Sequence, residues 1–289
     1  MPSESPPSDR MLDTVHRALK NSQRQPRVTG RLVTLSDGPV AVLGDIHGDL
    51  DGLNQFLKKT GLEERLRNPS QKLVFLGDYI DRGPSQLGVL SRVFRLYLDH
   101  PRQVVLIRGN HEGPSDLPCY PNDFRRLLAS TYGDDAAVKL DQYQGIFDSM
   151  FTAALIPGRA VLLHGGFPSS LTGPVTLADA HKVHPAEPHL KEILWSDPTE
   201  EPGVRDSPRG AGKLFGPDVT RRCLAALGVN TLIRGHQSTA EGFSFTHGCI
   251  LTLFSCKVRA YRNQRRAGLD AEKGCSFRFP DLMSRVVSF

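Results

Sequence analysis

The sequence has no long hydrophobic run. No stretch of the 289 residues approaches the roughly eighteen consecutive apolar residues of a membrane-spanning helix. The first ten residues are rich in proline and serine and lack the apolar centre of a secretory signal. We therefore expect a protein that is located in the cytoplasm and does not enter a membrane.

Cysteine is also scarce, and it is not arranged for metal binding. The five cysteines include no Cys-x-x-Cys pair and no pairing with a nearby histidine, and the chain has no calcium-binding loop. This pattern argues against a thiolate metal site and favours reduced thiols packed inside the protein.

The chain carries no strong charge of either sign. Its net charge of +5 and pI near 9.0 are ordinary for a solvated surface. An arginine cluster at residues 259–266 contains one aromatic residue, Tyr261, so it lacks the interleaved aromatics of a surface that binds single strands. Nucleic acid is accordingly not an expected partner.

Length and patterning predict one large domain. We expect a flexible N-terminal segment at residues 1–28 that contains a short amphipathic helix at 11–20, followed by a single catalytic domain at 29–289. A strand hairpin is predicted from residues 31–35 and 40–43 around a turn. Helical patterns follow at 50–57, before Gly61, and at 87–98.

Five apolar strand-like runs each end in a glycine-flanked polar cluster. Asp45 and Asp78 are 33 residues apart, and Asp78 and Asn110 are 32 apart, which is about the length of one strand-helix-strand unit. Consecutive parallel strands would place all the clusters along one edge of a sheet, where α/β proteins bind ligands. The clusters occupy residues 44–48, 77–83, 108–112, 164–166 and 234–236.

The side chains in these clusters suit divalent metals. Imidazole, carboxylate and amide groups are ligands for first-row ions such as Mn, Fe or Zn, and six such groups suffice for two ions that share one carboxylate. Two ions can activate a bridging hydroxide for in-line attack on a phosphoryl group. The candidates are Asp45, His47, Asp78, Asp81, Asn110, His111, His164 and His236.

The motifs resemble those of the PPP family of metal-dependent serine/threonine phosphatases, within the calcineurin-like metallophosphoesterase superfamily. The matching stretches are Gly-Asp-Ile-His-Gly, Gly-Asp-Tyr-Ile-Asp-Arg-Gly, Arg-Gly-Asn-His-Glu and His-Gly-Gly, in the family's order and spacing. Asp-Arg-Gly-Pro also occurs in prokaryotic members. The resemblance implies an α/β fold in which helices flank a central β-sandwich of mixed sheets.

The resemblance also implies a role for each site residue. Asp45 and His47 would hold one metal, Asn110, His164 and His236 the other, and Asp78 would bridge them. His111 would be the general acid and Asp81 its orienting partner, in a pairing that raises an imidazole pKa. Arg82 and Arg209 would hold phosphate oxygens, and Arg108 would reach the same phosphate.

Three functions are compatible with these residues. The first is hydrolysis of phosphoserine and phosphothreonine in protein substrates, with two divalent ions, first of all Mn, as cofactors. The second is hydrolysis of dinucleoside tetraphosphates, so nucleotides are possible partners. A non-catalytic binding scaffold is third, disfavoured because the acid and the phosphate-binding arginines are present. The stretch at residues 256–261 departs from the Ala-Pro-Asn-Tyr of eukaryotic family members, which leaves substrate choice open.

Overall fold

The structure, a computed structural model, describes residues 5–181 and 189–289. The α-helices in this part of the chain are α1 Asp9–Ser22, α2 Leu50–Thr60, α3 Leu62–Arg65, α4 Gln86–Asp99, α5 Asp123–Tyr132, α6 Ala136–Phe147, α7 Pro174–Ala178, α8 His189–Trp195 and α9 Pro217–Leu227. The strands are β1 Val28–Thr29, β2 Leu32–Thr34, β3 Val40–Leu43, β4 Lys72–Phe75, β5 Val104–Leu106, β6 Ala153–Ile156, β7 Ala160–Leu163, β8 Asp197–Pro198, β9 Val204–Asp206, β10 Lys213–Phe215, β11 Thr231–Arg234, β12 Phe243–Thr246, β13 Ile250–Leu253, β14 Ala267–Ala271 and β15 Val286–Ser288.

Two mixed sheets form the centre of the molecule. One has seven strands in the order β1-β2-β6-β7-β11-β13-β12, and the other has five in the order β15-β14-β3-β4-β5. Alternate residues of the first sheet, such as Leu162 and Ile233, join the same buried cluster as Val74 of the second sheet. The residues between them, such as Val161 and Leu232, pack with α7 and α9 on the other face. The expected β-sandwich of mixed sheets flanked by helices is confirmed.

The predicted hairpin at residues 31–43 is wrong. β2 pairs with β1 and β6 in the seven-stranded sheet, whereas β3 pairs with β4 and β14 in the five-stranded sheet. The turn between them therefore carries the chain from one sheet to the other. Every residue of β3 is buried, and β3 has a strand neighbour on each side. Alternation and turn residues identify two strands, but they do not identify the partner of each strand.

The predicted helices are present with slightly different ends. The helix predicted at 11–20 is α1, whose Leu12, Val15 and Leu19 are buried in the main core. Gly61 ends α2 in a left-handed conformation with φ 62°. The helical pattern at 87–98 corresponds to α4. The boundary between a flexible segment and the catalytic domain at residue 28 stays a prediction, and residues 1–4 lie outside the described residues.

The five polar clusters do not lie on the edge of a single sheet. β3, β4 and β5 are parallel neighbours, so the first three clusters follow adjacent strand ends as expected. The other two follow β7 and β11 of the seven-stranded sheet. Short parallel bridges from Asp45 to Phe254 and from Ile107 to Phe151 join the two sheets beside these ends. The clusters therefore meet where the two sheets come together.

The cysteines agree with the expectation of reduced, packed thiols. All five cysteines are free thiols, and four of them are buried. None of the described helices combines the length and the apolar character that a membrane crossing requires.

Candidate active site

Strained backbone marks the places where the strands end. Seven described residues other than glycine have a positive φ, and five of them are predicted site residues. Such conformations are costly and persist only where the surrounding structure enforces them, which is common at functional sites. The five residues are His47 (φ 43°), Asp78 (56°), Asp81 (64°), Arg82 (68°) and His236 (71°).

Two glycines allow the turns after β4 and β5 to touch. Gly77 has φ 103°, and a Cβ atom on it would lie 2.3 Å from the backbone nitrogen of Gly109. A side chain at either glycine would push the two turns apart, because a Cβ on Gly109 would also lie 2.2 Å from the backbone nitrogen of Asp78. The contact of backbone on backbone brings Asp78 close to Asn110 and His111.

The first group of possible metal ligands surrounds His47. Its Nδ1 lies 2.8 Å from the carbonyl oxygen of Ile80, to which it donates. Burial holds the pKa of this imidazole well below its usual value, so the ring is neutral and Nε2 carries a lone pair. Nε2 lies 3.8 Å from a carboxylate oxygen of Asp45 and 3.5 Å from one of Asp78, and it accepts from the hydroxyl of Tyr261 at 3.0 Å.

The second group meets at the amide oxygen of Asn110. His164 Nε2 lies 2.8 Å from this oxygen, and His236 Nδ1 lies 2.9 Å from it. His164 is buried and its pKa is lowered well below the usual value, and its Nδ1 donates to the carbonyl of Leu76 at 2.9 Å. Its Nε2 therefore faces Asn110 with a lone pair. Lone pairs this close to each other repel, and a cation bound between them would stabilise the arrangement.

Asp78 connects the two groups. One ligand atom each from His47, Asp78 and His111 lie within 4.8 Å of one another, and so do atoms from Asp78, His164 and His236. Burial, followed by the charges of Asp45 and Glu112, raises the pKa of Asp78 well above its usual value. Burial also raises the pKa of Asp45 to about 7. Buried carboxylates of this kind are stabilised by cations, so the residues fit two divalent ions that share Asp78.

His111 and Asp81 form the expected pair. His111 Nδ1 lies 2.6 Å from Asp81 Oδ2, and its Nε2 lies 4.0 Å from Asp78 Oδ2 on the side of the metal ligands. The other oxygen of Asp81 accepts from the backbone N–H of Phe124 at 2.6 Å, near the start of α5. Asp81 raises the pKa of His111 as expected, but burial is the larger effect and leaves that pKa below its usual value.

Two of the three predicted arginines line the same cavity. It has a volume of about 350 Å³, and its wall includes Arg82 and Arg209 together with His111. Arg82 donates to the carbonyl oxygens of Pro121 at 2.7 Å and Tyr120 at 3.1 Å. The two guanidinium groups can bind oxygens of a phosphate held at the metal ligands.

Arg108 does not lie in this cavity. Its Nε donates to the carbonyl oxygen of Glu112 at 2.6 Å, and its Nη2 pairs with Asp148 at 2.5 Å. Because the side chain turns away from the ligands, Arg108 supports the loop instead of contacting phosphate. The expectation that it binds phosphate is therefore not met by the geometry.

Some residues contact the site although the sequence motifs did not identify them as site residues. Cys119 accepts from Asn110 Nδ2 at 2.9 Å and thereby turns the amide oxygen toward the two histidines. Asp197 accepts from Arg209 at 2.6 Å and from the buried Arg234 at 2.8 Å. Tyr261 belongs to the stretch at residues 256–261 that departs from the family pattern, whereas Cys119 comes from a loop with no local sequence signal.

Comparison with known proteins gives one family and several similar folds. The profile of a family described as calcineurin-like phosphoesterase matches residues 38–239. A protein serine/threonine phosphatase from Saccharomyces cerevisiae is 23% identical, with 100% of this chain and 89% of that chain covered and a TM-score of 0.78. A cold-active protein-tyrosine phosphatase from a psychrophilic Shewanella is 19% identical, over 84% of this chain and 78% of its own, with a TM-score of 0.57. At these identities the structural similarity establishes the fold.

We expect Asp78→Asn to impair both metal positions. An amide at this place lacks the charge and one of the two acceptor oxygens that a shared ligand needs. Equilibrium dialysis against Mn²⁺ should show two ions per chain for the wild type and an affinity at least about 100-fold lower for the variant. Asp116→Asn, at an exposed carboxylate, is the matched control. Retention of two tightly bound ions by Asp78→Asn would contradict the shared position.

Proposed function

Because the chain belongs to the calcineurin-like phosphoesterase family and carries a dinuclear type of His/Asp site, we propose that this metal-dependent phosphoesterase removes phosphate from phosphoserine and phosphothreonine in proteins. One observation carries the proposal. The His111–Asp81 pair opens onto the same cavity as the metal ligands and two arginines. A protein that only bound a metal or a phosphate would not require the acid and its orienting carboxylate.

Each polar group at the cavity has a part in the proposed reaction. Two divalent ions held by these residues, for which we propose Mn²⁺ with Fe or Zn as alternatives, would activate a water and neutralise phosphoryl oxygens. Arg82 and Arg209 hold the remaining phosphate oxygens and orient the ester. His111 donates the proton on Nε2 to the leaving oxygen of serine or threonine. Asp81 accepts from Nδ1–H and stabilises the protonated ring.

A groove beside the cavity supports a protein substrate. It has a volume of about 800 Å³ and shares Arg82 with the metal cavity. Lys257 and Arg259, both exposed, line its other side. A phosphorylated side chain in the cavity would let its neighbours along the peptide lie in this groove. The carboxylates of the groove, Asp49 and Asp51, are both paired with Arg266, so the two cations favour acidic residues next to the phosphorylated position.

Dinucleoside tetraphosphate hydrolysis is the alternative activity. The same metal ligands and arginines suit a phosphoanhydride, and Lys257 and Arg259 in the groove could receive further phosphates. A protein provisionally described as a diadenosine tetraphosphatase is 17% identical, with 90% of this chain and 97% of its own covered and a TM-score of 0.50. That similarity bears on the fold, so a substrate comparison has to decide between the activities.

A substrate panel tests the proposed activity. With added Mn²⁺ we expect phosphate release from phosphoserine and phosphothreonine peptides at a kcat/KM well above that for diadenosine tetraphosphate, and we expect chelator to abolish it. A phosphotyrosine peptide belongs in the panel as a third ester. A higher kcat/KM for the dinucleotide would favour the alternative. Full turnover by the chelated, metal-free protein would refute both enzymatic readings.

The His111–Asp81 pair predicts that the loss of activity on mutation depends on the leaving group of the substrate. His111→Asn should lower kcat for a phosphoserine peptide by about 10²- to 10⁴-fold, because the serine alkoxide needs a proton as it leaves. The leaving group of an activated aryl phosphate needs this proton less, so the variant should lose less activity on that substrate. Asp81→Asn, which keeps the shape but removes the charge, should follow the same order. Equal losses on both esters would mean that His111 is not the acid.

The groove predicts a charge preference. Arg259→Glu should lower kcat/KM about tenfold for a phosphopeptide with acidic neighbours, since it replaces an attraction of up to about 1 kcal/mol with a repulsion. The loss should be smaller for a peptide with neutral neighbours. Arg262→Glu makes the same charge change at an exposed arginine that does not line the groove. The same loss in both variants would indicate a general charge effect and contradict a specific groove.

A further inference from the structure

A second large cavity lies far from the possible metal ligands. It has a volume of about 970 Å³ and borders the starts of β4, β5 and β7, the strands whose other ends carry the active site. Lys72 begins β4, and Asp78 follows the same strand six residues later, about 20 Å away. The cavity is therefore at the opposite end of the sandwich and is separate from the catalytic cavity.

Its polar lining is strongly basic. Arg27, Lys72, Arg102 and Arg159 face a single carboxylate, Asp37. That carboxylate is already engaged, because Asp37 Oδ1 lies 2.9 Å from Arg159 Nη1. The other three cations have no carboxylate partner among the described residues.

Lys72 is also largely removed from water, whereas Arg27 is half-buried and contacts only uncharged groups. Lys72 is only 7% exposed, and its ammonium group donates to one backbone carbonyl, that of Pro69, at 2.8 Å. Arg27 donates to the side chain of Gln25 at 2.9 Å and to the carbonyl of Pro101 at 3.3 Å. Burial lowers the pKa of Lys72, and repulsion from Arg27 lowers it further.

Other arginines in the protein have the carboxylate partner that these three cations lack. Arg234, Arg266 and Arg65 are each paired with an aspartate, at 2.8, 2.7 and 2.7 Å respectively. A buried charge is costly unless an opposite charge accompanies it. Solvation accounts for the exposed end of Arg102, but it does not account for Lys72.

We infer that this cavity binds a small phosphorylated molecule with two or more negative charges and an apolar body, of the class of a nucleoside diphosphate. Guanidinium and ammonium groups match phosphate oxygens, and the volume is within the range of ligand sites. The wall also holds the neutral polar residues Gln25, Thr34 and Ser36, and an apolar part that would cover the uncharged part of the ligand. This apolar part includes Leu35, Ile156, Pro26 and Pro157. The inference does not depend on the substrate of the active site.

Calorimetric titration of the metal-loaded chain with α,β-methylene-ADP, which resists hydrolysis, tests this site. Arg102→Glu should weaken binding at least about tenfold, since it reverses a charge that faces the ligand. Arg95→Glu, an equal charge change at an exposed residue of α4 outside the cavity, should leave the affinity within about twofold. Methylenediphosphonate, which lacks the apolar body, should bind more weakly than the nucleotide analogue.

Binding at the metal centre is distinguished by Arg82→Ala. This variant removes a cation from the catalytic cavity and should keep the affinity for methylene-ADP. Loss of binding in Arg82→Ala together with full binding in Arg102→Glu would overturn the inference. So would the absence of binding to the wild type, or equal affinity for methylenediphosphonate. Failure of the phosphopeptide assay would leave these titrations unaffected, because they measure no turnover.

Discussion

The buried carboxylate of Glu112 holds the catalytic turns together. It accepts backbone hydrogen bonds from Asp78 and Tyr79 at 2.8 Å each, and from Ile80 and Gly109 at 3.2 Å. Burial raises its pKa to about 7, while these N–H groups favour its charged form. The left-handed backbone at Asp78 would otherwise be costly, so this one side chain stabilises the conformation that points the bridging ligand into the cavity.

The turn at residues 77–83 has three separate tasks. Asp78 belongs to both groups of possible metal ligands, Asp81 is hydrogen-bonded to His111, and Arg82 lines both the cavity at these ligands and the neighbouring groove. Because these side chains are only a few residues apart, a shift of the turn would move the possible shared ligand, the partner of His111 and the guanidinium group together. The two basic cavities at opposite ends of the sandwich are joined by the same strand, β4.

Local patterns predicted the elements well and their partners poorly. Helical spacing located α1, α2 and α4, and glycine-flanked strand ends located the turns that carry Asp45, Asp78 and Asn110. The supposed hairpin failed because alternation reports which face of a strand is buried and says nothing about its neighbour. Because alternation does not identify strand neighbours, it also did not show that the five clusters expected on one sheet edge are divided between two sheets.

The sequence by itself determined the chemistry of the site, because imidazole, carboxylate and amide groups at strand ends define which ions and which reaction are possible. Tertiary structure decided which atoms face each other. It turned Arg108 toward Asp148, placed Cys119 behind Asn110, and brought Tyr261 to His47 from a loop 214 residues away. The physical reason is that the direction of a side chain depends on packing against distant segments, which no local pattern records.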